Sequence, residues 1–223
     1  MNLKLFYLTL KTSKPVEGDA SMLRGFIGNR FSGYPILHHH IPDVGFIYTY
    51  PKVQYKIIEG TPVILGMEEG AEVLLKIFPE ILKEKKLKLL GREYKITEAV
   101  GGLKEAKLGV TRKNHKYGFI TPWIALNQEN YTKFQEMEDW KKKKNFLNNI
   151  LAANILSMCK GLDYVVDRKL YVHSLLNEEI VRYKGMEMTG FKGEFKVNFK
   201  LPDLLGLGKG VSQGFGVVKK SIK

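Results

Sequence analysis

Three of the chain's five histidines are consecutive, His38-His39-His40, between Gly33-Tyr34-Pro35 and Ile41-Pro42-Asp43. In an extended segment His38 and His40 point to one side with Cα atoms roughly 6–7 Å apart, while His39 faces away. Two imidazoles at that separation can flank a single phosphate. Each titrates near pH ~6.5, so one can take a proton while the other gives one, a device that contributes roughly 10²–10⁴-fold. RNA cleavage without metal needs such a pair. The 2′-hydroxyl must lose a proton to attack the adjacent phosphorus in line, and the departing 5′-oxygen must gain one. The products would be a 2′,3′-cyclic phosphate and a 5′-hydroxyl, and DNA, lacking the nucleophile, would bind without reacting. A metal site competes for His38 and His40, but it needs a third ligand. Asp43 is the only close carboxylate, and His115 and His173 lie far off in sequence. A third reading leaves the histidines in a loop with no chemistry.

A second informative segment stands near the other end. Gly206-Leu207-Gly208-Lys209-Gly210-Val211-Ser212-Gln213-Gly214-Phe215-Gly216 holds five glycines in eleven positions, with one lysine. Glycine reaches positive φ without steric cost, so successive N–H groups of such a loop can converge on an anion, with phosphate the expected ligand. A P-loop would require Ser or Thr directly after Gly-Lys and then a long helix, whereas Lys209 precedes Gly210-Val211. A dinucleotide fingerprint would require a strand before, a helix after and an acidic residue further on. Neither nucleotide-binding pattern fits.

Gly-hydrophobic-Gly, five residues including a Lys or Arg, then Gly-Phe-Gly is a C-terminal motif that resembles that of the CRISPR-associated repeat-RNA endoribonucleases of the RAMP superfamily. Gly206-Leu207-Gly208, Lys209 to Gln213 and Gly214-Phe215-Gly216 match it without a gap. The doubled histidine and modest length resemble the type I-B branch of that family. The resemblance implies an α+β protein of tandem ferredoxin-like (βαββαβ) domains, with the glycine-rich loop before a last strand, Phe215 to Lys219. It implies a metal-independent endoribonuclease that cuts CRISPR precursor RNA within the repeats and uses no cofactor. Its catalytic histidine falls between the first helix and the second strand, where His38 and His40 lie. Family sites often add a tyrosine and a lysine. Tyr48 and Lys52 are the candidates by position, with Tyr34 an alternative donor, although the family's usual tyrosine–histidine–lysine spacing is not reproduced. Arg24 and Arg30 are candidate phosphate contacts. CRISPR repeat RNA is the implied partner, with subunits of a CRISPR effector complex beside it and a monomer or homodimer as the assembly. The rival within the same superfamily is a non-catalytic RAMP subunit that only binds guide RNA. A metal-dependent nuclease is the rival from another class.

Composition leads to the same kind of partner independently. Lys and Arg number 36 against 23 Asp and Glu, a formal charge of +13, the electrostatic footprint of a protein that meets a polyanion. No apolar stretch of about eighteen residues and no N-terminal signal pattern is present, so a cytoplasmic protein without membrane association is expected. The single cysteine, Cys159, excludes an intramolecular disulfide and a cysteine-based zinc site, and its apolar helical setting suggests core packing.

The elements that must position these groups follow from periodicity. Leu3 to Leu10 alternates as a strand, and Asp19-Ala20-Ser21 caps a helix bearing Met22, Leu23, Phe26 and Ile27. Strands are expected at Val44 to Tyr50, Tyr55 to Glu59 and Thr61 to Met67. A helix over Glu68 to Lys85 should be kinked or split by Pro79, and a strand pair over Leu87 to Leu90 and Tyr94 to Ala99 completes a first domain, residues 1–100. Gly101-Gly102 marks the boundary to a second, residues 101–223. There, strands are expected at Phe119 to Leu126, Leu170 to His173, Ile180 to Tyr183 and Met188 to Leu201, with a long helix over Asp139 to Lys160. Phe191, Phe195, Val197 and Phe199 share one parity of the last of these strands, while Lys192, Lys196 and Lys200 share the other. Lysines four residues apart on a strand stand roughly 13 Å apart and can follow an RNA backbone. The alternative is a solvated face whose lysines block edge pairing. Together with Lys52, Gly206, Gly208, Lys209, Gly214 and Gly216 these lysines form the expected RNA-binding set. Lys141 to Lys144, at a helix start, read as a solvated face.

Overall fold

The structure, a computed structural model, describes residues 1–38, 40–41, 45–46 and 50–221, with side chains for 1–38 and 50–221. The chain forms two units. One comprises Asn2–Ala106 together with Val211–Gly214, and the other comprises Met1, Lys107–Gly210 and the residues from Phe215 onward.

In the N-terminal unit, β1 (Asn2–Thr12) leads to helix α1 (Ala20–Arg30), capped by the Asp19 carboxylate, which accepts from the amides of Ser21 and Met22. A single 3₁₀ turn, Pro35–Leu37, and a short ribbon of β2 (His40–Ile41) and β3 (Gly45–Phe46) come before β4 (Val53–Ile58). Then follow β5 (Thr61–Met67), α2 (Glu69–Lys83), β6 (Lys86–Leu89) and β7 (Arg92–Lys107). The sheet order β4-β5-β1-β7-β6 is that of a ferredoxin-like βαββαβ unit with β6 added as an outer strand. Its core includes Phe6, Leu8, Leu23, Ile27, Tyr55, Ile64, Leu74 and Ile77. Helix α2 is not split at Pro79. Pro79 and Leu75, whose carbonyl loses its amide partner, both lie on the exposed side, so water can satisfy the freed carbonyl. Gly101 and Gly102 lie inside β7. At Gly101 a Cβ would meet the Phe78 ring at 2.7 Å and Phe6 at 2.8 Å, so packing accounts for that glycine. The expected strand over Val44 to Tyr50 lies mostly outside the described residues.

The C-terminal unit begins with β8 (Gly109–Trp123), longer than the alternation suggests, and a helix not foreseen, α3 (Gln128–Glu136). Helix α4 (Trp140–Gly161) follows, with Asp139 as its cap. Strands β9 (Val172–Tyr183) and β10 (Met186–Lys200) form a long hairpin, and β11 (Val218–Lys220) closes the unit. The order β11-β8-β10-β9 is again ferredoxin-like, with the link from β10 to β11 replacing the second helix in sequence. Phe119, Trp123, Phe191, Phe195 and Phe134 pack the core, Phe119 stacking on Trp123 with ring centres 5.4 Å apart. Cys159 is buried in α4 and burial pushes its thiol up to about 12, the state of a packing residue rather than a nucleophile. No helix among the described residues is long and apolar enough to cross a membrane.

Candidate active site and glycine-rich segment

The backbone that carries His38 is fixed from several sides. The 3₁₀ turn ends as the His38 amide donates to the Pro35 carbonyl at 3.0 Å. Leu37, fully buried, accepts at its carbonyl from the Tyr55 hydroxyl at 3.1 Å. Burial keeps that phenol un-ionised by raising its pKa, so it stays a donor. The Arg24 guanidinium on α1 donates to the His38 carbonyl. The imidazole lies over Gly28 of the same helix, where a Cβ would collide with the ring. His38 is therefore half-buried and seated on the face of α1.

The other nominated groups are placed unevenly. The backbone of His40 lies in β2, paired with Phe46, whereas its side chain, His39, Asp43 and Tyr48 lie outside the described residues. Lys52 Nζ forms an ion pair with Glu69 Oε2 at 2.6 Å, at the start of α2, and this ammonium holds the Glu69 carboxyl below its ordinary value. Tyr34 packs at the edge of the core. Arg30 pairs through Nε with Glu84 at 2.7 Å. His115 and His173 belong to the C-terminal unit. Sequence reasoning missed Tyr55 and Gly28 as neighbours of the histidine segment, and Ser212 as a partner of Arg24. Nothing in the periodicity of a strand or helix says which loop carbonyl a side chain reaches.

The glycine-rich segment is a compact, internally bonded structure. Leu207 donates to the Gly216 carbonyl at 2.9 Å, Lys209 to Ile124 at 3.0 Å and Gly216 to Pro122 at 2.7 Å. Phe215 donates to Gly210 at 3.3 Å, and Val217 to the Thr121 hydroxyl at 2.9 Å. The expectation of a run of free amides is thus not met at those positions, because Leu207 and Phe215 donate within the segment and Lys209, Gly216 and Val217 donate to β8 or the residue that follows it. At Gly208, with φ +84°, a Cβ would meet the Trp123 indole and, at 2.7 Å, the Ile124 carbonyl. Close approach to β8 as well as conformation requires glycine there. Lys209 is exposed, its Nζ 5.6 Å from the centre of the Tyr183 ring. The tip, Val211–Gln213, is a 3₁₀ turn of the N-terminal unit.

On β10, Phe191, Phe195, Val197 and Phe199 are fully buried and Lys192, Lys196 and Lys200 are exposed, in spite of bulges at Phe191/Gly193 and Val197/Phe199. Lys196 stands opposite Lys116 of β8 and His173 of β9. Lys219 of β11 lies opposite Gly118. Glu194 interrupts the basic face and pairs with Lys116 at 2.7 Å.

Two ferredoxin-like units in tandem, with a Gly-Leu-Gly and Gly-Phe-Gly segment between the last two strands of the chain, define a RAMP-type protein. The chain matches the Cas6b N-terminal domain over residues 1–106 and the Cas6b C-terminal domain over residues 109–221. It belongs to the Cas6b family. A crystal structure of Cas6b is 36% identical and superposes with a TM-score of 0.89 over 99% of this chain and 100% of that one. The crystal structure of a CRISPR RNA processing endoribonuclease Cas6b is 33% identical, with a TM-score of 0.77 over 99% and 100%. An uncharacterized protein of Methanocaldococcus jannaschii, MJ0978, is 45% identical over 139 residues, 62% of this chain and 94% of that protein.

Proposed function

We propose that this protein is a metal-independent endoribonuclease that cleaves CRISPR precursor RNA within its repeats. What supports this most is family membership across both domains together with a histidine, His38, seated where acid–base chemistry is expected. One imidazole of the His38 and His40 pair accepts the 2′-hydroxyl proton as the 2′-oxygen bonds to phosphorus. The bond from phosphorus to O5′ breaks, and O5′ takes its proton from the other imidazole. The 2′,3′-cyclic phosphate and 5′-hydroxyl then account for every atom, and no cofactor is required. Tyr48 serves as donor to the charge that builds on the phosphorane oxygens. Lys52, whose pairing with Glu69 is a surface contact of small energy, can exchange its carboxylate for a phosphate. Lys192, Lys196 and Lys200, with Lys209 and the glycines at 206, 208, 214 and 216, hold the repeat. Contacts that bind substrate are not consumed by the reaction, so the product's repeat-derived end can be retained and carried to an effector complex.

The test is incubation of the protein with repeat RNA in EDTA, beside a copy carrying one 2′-deoxy nucleotide at the cut site. Cutting of the first alone, with a cyclic phosphate end, is expected, and His38→Ala should lower the rate by roughly 10²–10⁴-fold. Tight binding without cleavage would instead identify an RNA-binding RAMP subunit. Activity that EDTA removes would identify a metal-dependent nuclease.

A further inference from the structure

One of the contacts that hold His38 runs on to the glycine-rich segment. Arg24 donates through Nη2 to the His38 carbonyl and through Nη1 to Ser212 Oγ at 3.3 Å. Ser212 belongs to the 3₁₀ turn Val211–Gln213, which packs on α1 and β4 of its own unit. Val211 is buried there. At Gly214 a Cβ would stand 2.9 Å from that of Ala20 and 3.2 Å from the Tyr55 carbonyl oxygen, so the turn has little freedom to slide. A guanidinium presents its N–H groups in a rigid planar fork, and fixing one prong aims the other. The ring of His38 meanwhile occupies the space a side chain at residue 28 would fill, whereas beside Gly25, one turn earlier, nothing lies within 4 Å of a Cβ.

We propose that Arg24 is a positioning residue, which sets the backbone of His38 against the reacting phosphodiester and is itself aimed by Ser212. The glycine-rich segment then acts on cleavage through Arg24, in addition to any hold it has on RNA. This rests on the endoribonuclease reading and differs from the role of Arg24 as a phosphate contact. Loss of a phosphate contact weakens binding and lowers the salt slope by about one, while the bound complex keeps its rate. Loss of a positioning contact leaves binding and slows the bound complex, since a displacement of about 1 Å can cost on the order of 10²-fold.

The experiment measures single-turnover cleavage at saturating enzyme, and repeat-RNA affinity at several salt concentrations. It compares wild type, Arg24→Gln, Arg24→Lys, Ser212→Ala, Gly28→Ala and Gly25→Ala, and adds ¹H–¹⁵N imidazole spectra of each RNA-free protein. Arg24→Gln and Gly28→Ala should lower the saturated rate roughly 10- to 100-fold, leave affinity and salt slope near wild type, and shift the His38 imidazole signals. Ser212→Ala should do the same more weakly. Arg24→Lys should restore part of the rate, because one ammonium can reach the carbonyl or the hydroxyl but cannot reproduce the fork. Gly25→Ala should match wild type in all three. An Arg24→Gln protein with a wild-type saturated rate, or with unmoved His38 signals, overturns the proposal. A wild-type protein that binds the repeat and does not cut it sinks the endoribonuclease reading instead, and the imidazole signals alone then decide whether Arg24 positions His38.

Discussion

Lys56 is a costly side chain of the N-terminal unit. It is fully buried on β4, among the described residues its Nζ donates only to the neutral Gln54 Oε1 at 3.2 Å, and burial lowers its pKa from 10.5 to about 7. The unfolded chain therefore binds more protons than the folded one between pH ~7 and ~10.5, so this residue makes stability rise with pH through that window. The full penalty, on the order of 5 kcal/mol from the size of the shift, applies below it. Lys56→Met should raise Tm by at least about 4 °C at pH 6, with the gap closing toward pH 10 in a thermal-unfolding series. A gap independent of pH would show that the ammonium is not the source. Little of this is legible in Val53-Gln54-Tyr55-Lys56, whose alternation reads as a strand with one wet face, while both faces are buried. His38 stands out as a candidate by type and spacing. Its seat does not, because Gly28, Arg24 and Tyr55 are chosen by what approaches them in space and leave no periodic mark.

Between elements, one polar contact joins α4 to β9. Asn148 Oδ1 accepts from the Ser174 amide at 3.0 Å and its hydroxyl at 2.7 Å, with both residues buried. Asn148→Ala would strand two buried donors and should cost roughly 2 kcal/mol, seen as a fall in Tm of about 4–8 °C. Ser174→Ala, which removes only one donor, should cost less. The sequence predicted α4 and β10 well because each has a long apolar register, and β5 lies over the residues expected. It placed a boundary at Gly101-Gly102 because paired glycines resemble a linker, whereas Gly101 makes room for Phe78 in mid-strand. Helix α3 has few apolar residues, only Phe134 being buried, and its periodicity is correspondingly faint. The glycine-rich segment stands out by its spacing, yet Gly208 is needed for close approach to the end of β8 and Gly216 donates to the Pro122 carbonyl of that strand.

For the whole molecule, a charge of +13 suits contacts to phosphate, each of which would make affinity fall with salt. If β10 tracks the RNA backbone, replacing Lys192 and Lys196 together by Ala should reduce the slope of log affinity against log salt by about 1.4–1.8 and leave the rate of the bound complex unchanged. Glu194→Ala, which removes the acid from that face, should raise affinity in the same titration. Net charge and the glycine motif were enough to indicate a class of partner, and neither could indicate which unit each segment joins. That assignment carries a temporal consequence. The N-terminal unit takes Val211–Gly214 as one of its own parts, so a ribosome that has finished Ala106 has not yet finished this unit. The contact of Arg24 with Ser212 must wait for Val211–Gly214 to be made and to close a long loop, a step set by chain entropy rather than local preference. A nascent or truncated chain ending before Val211 lacks the piece that aims Arg24, and the nuclease would arm itself only after the glycine-rich segment had been made.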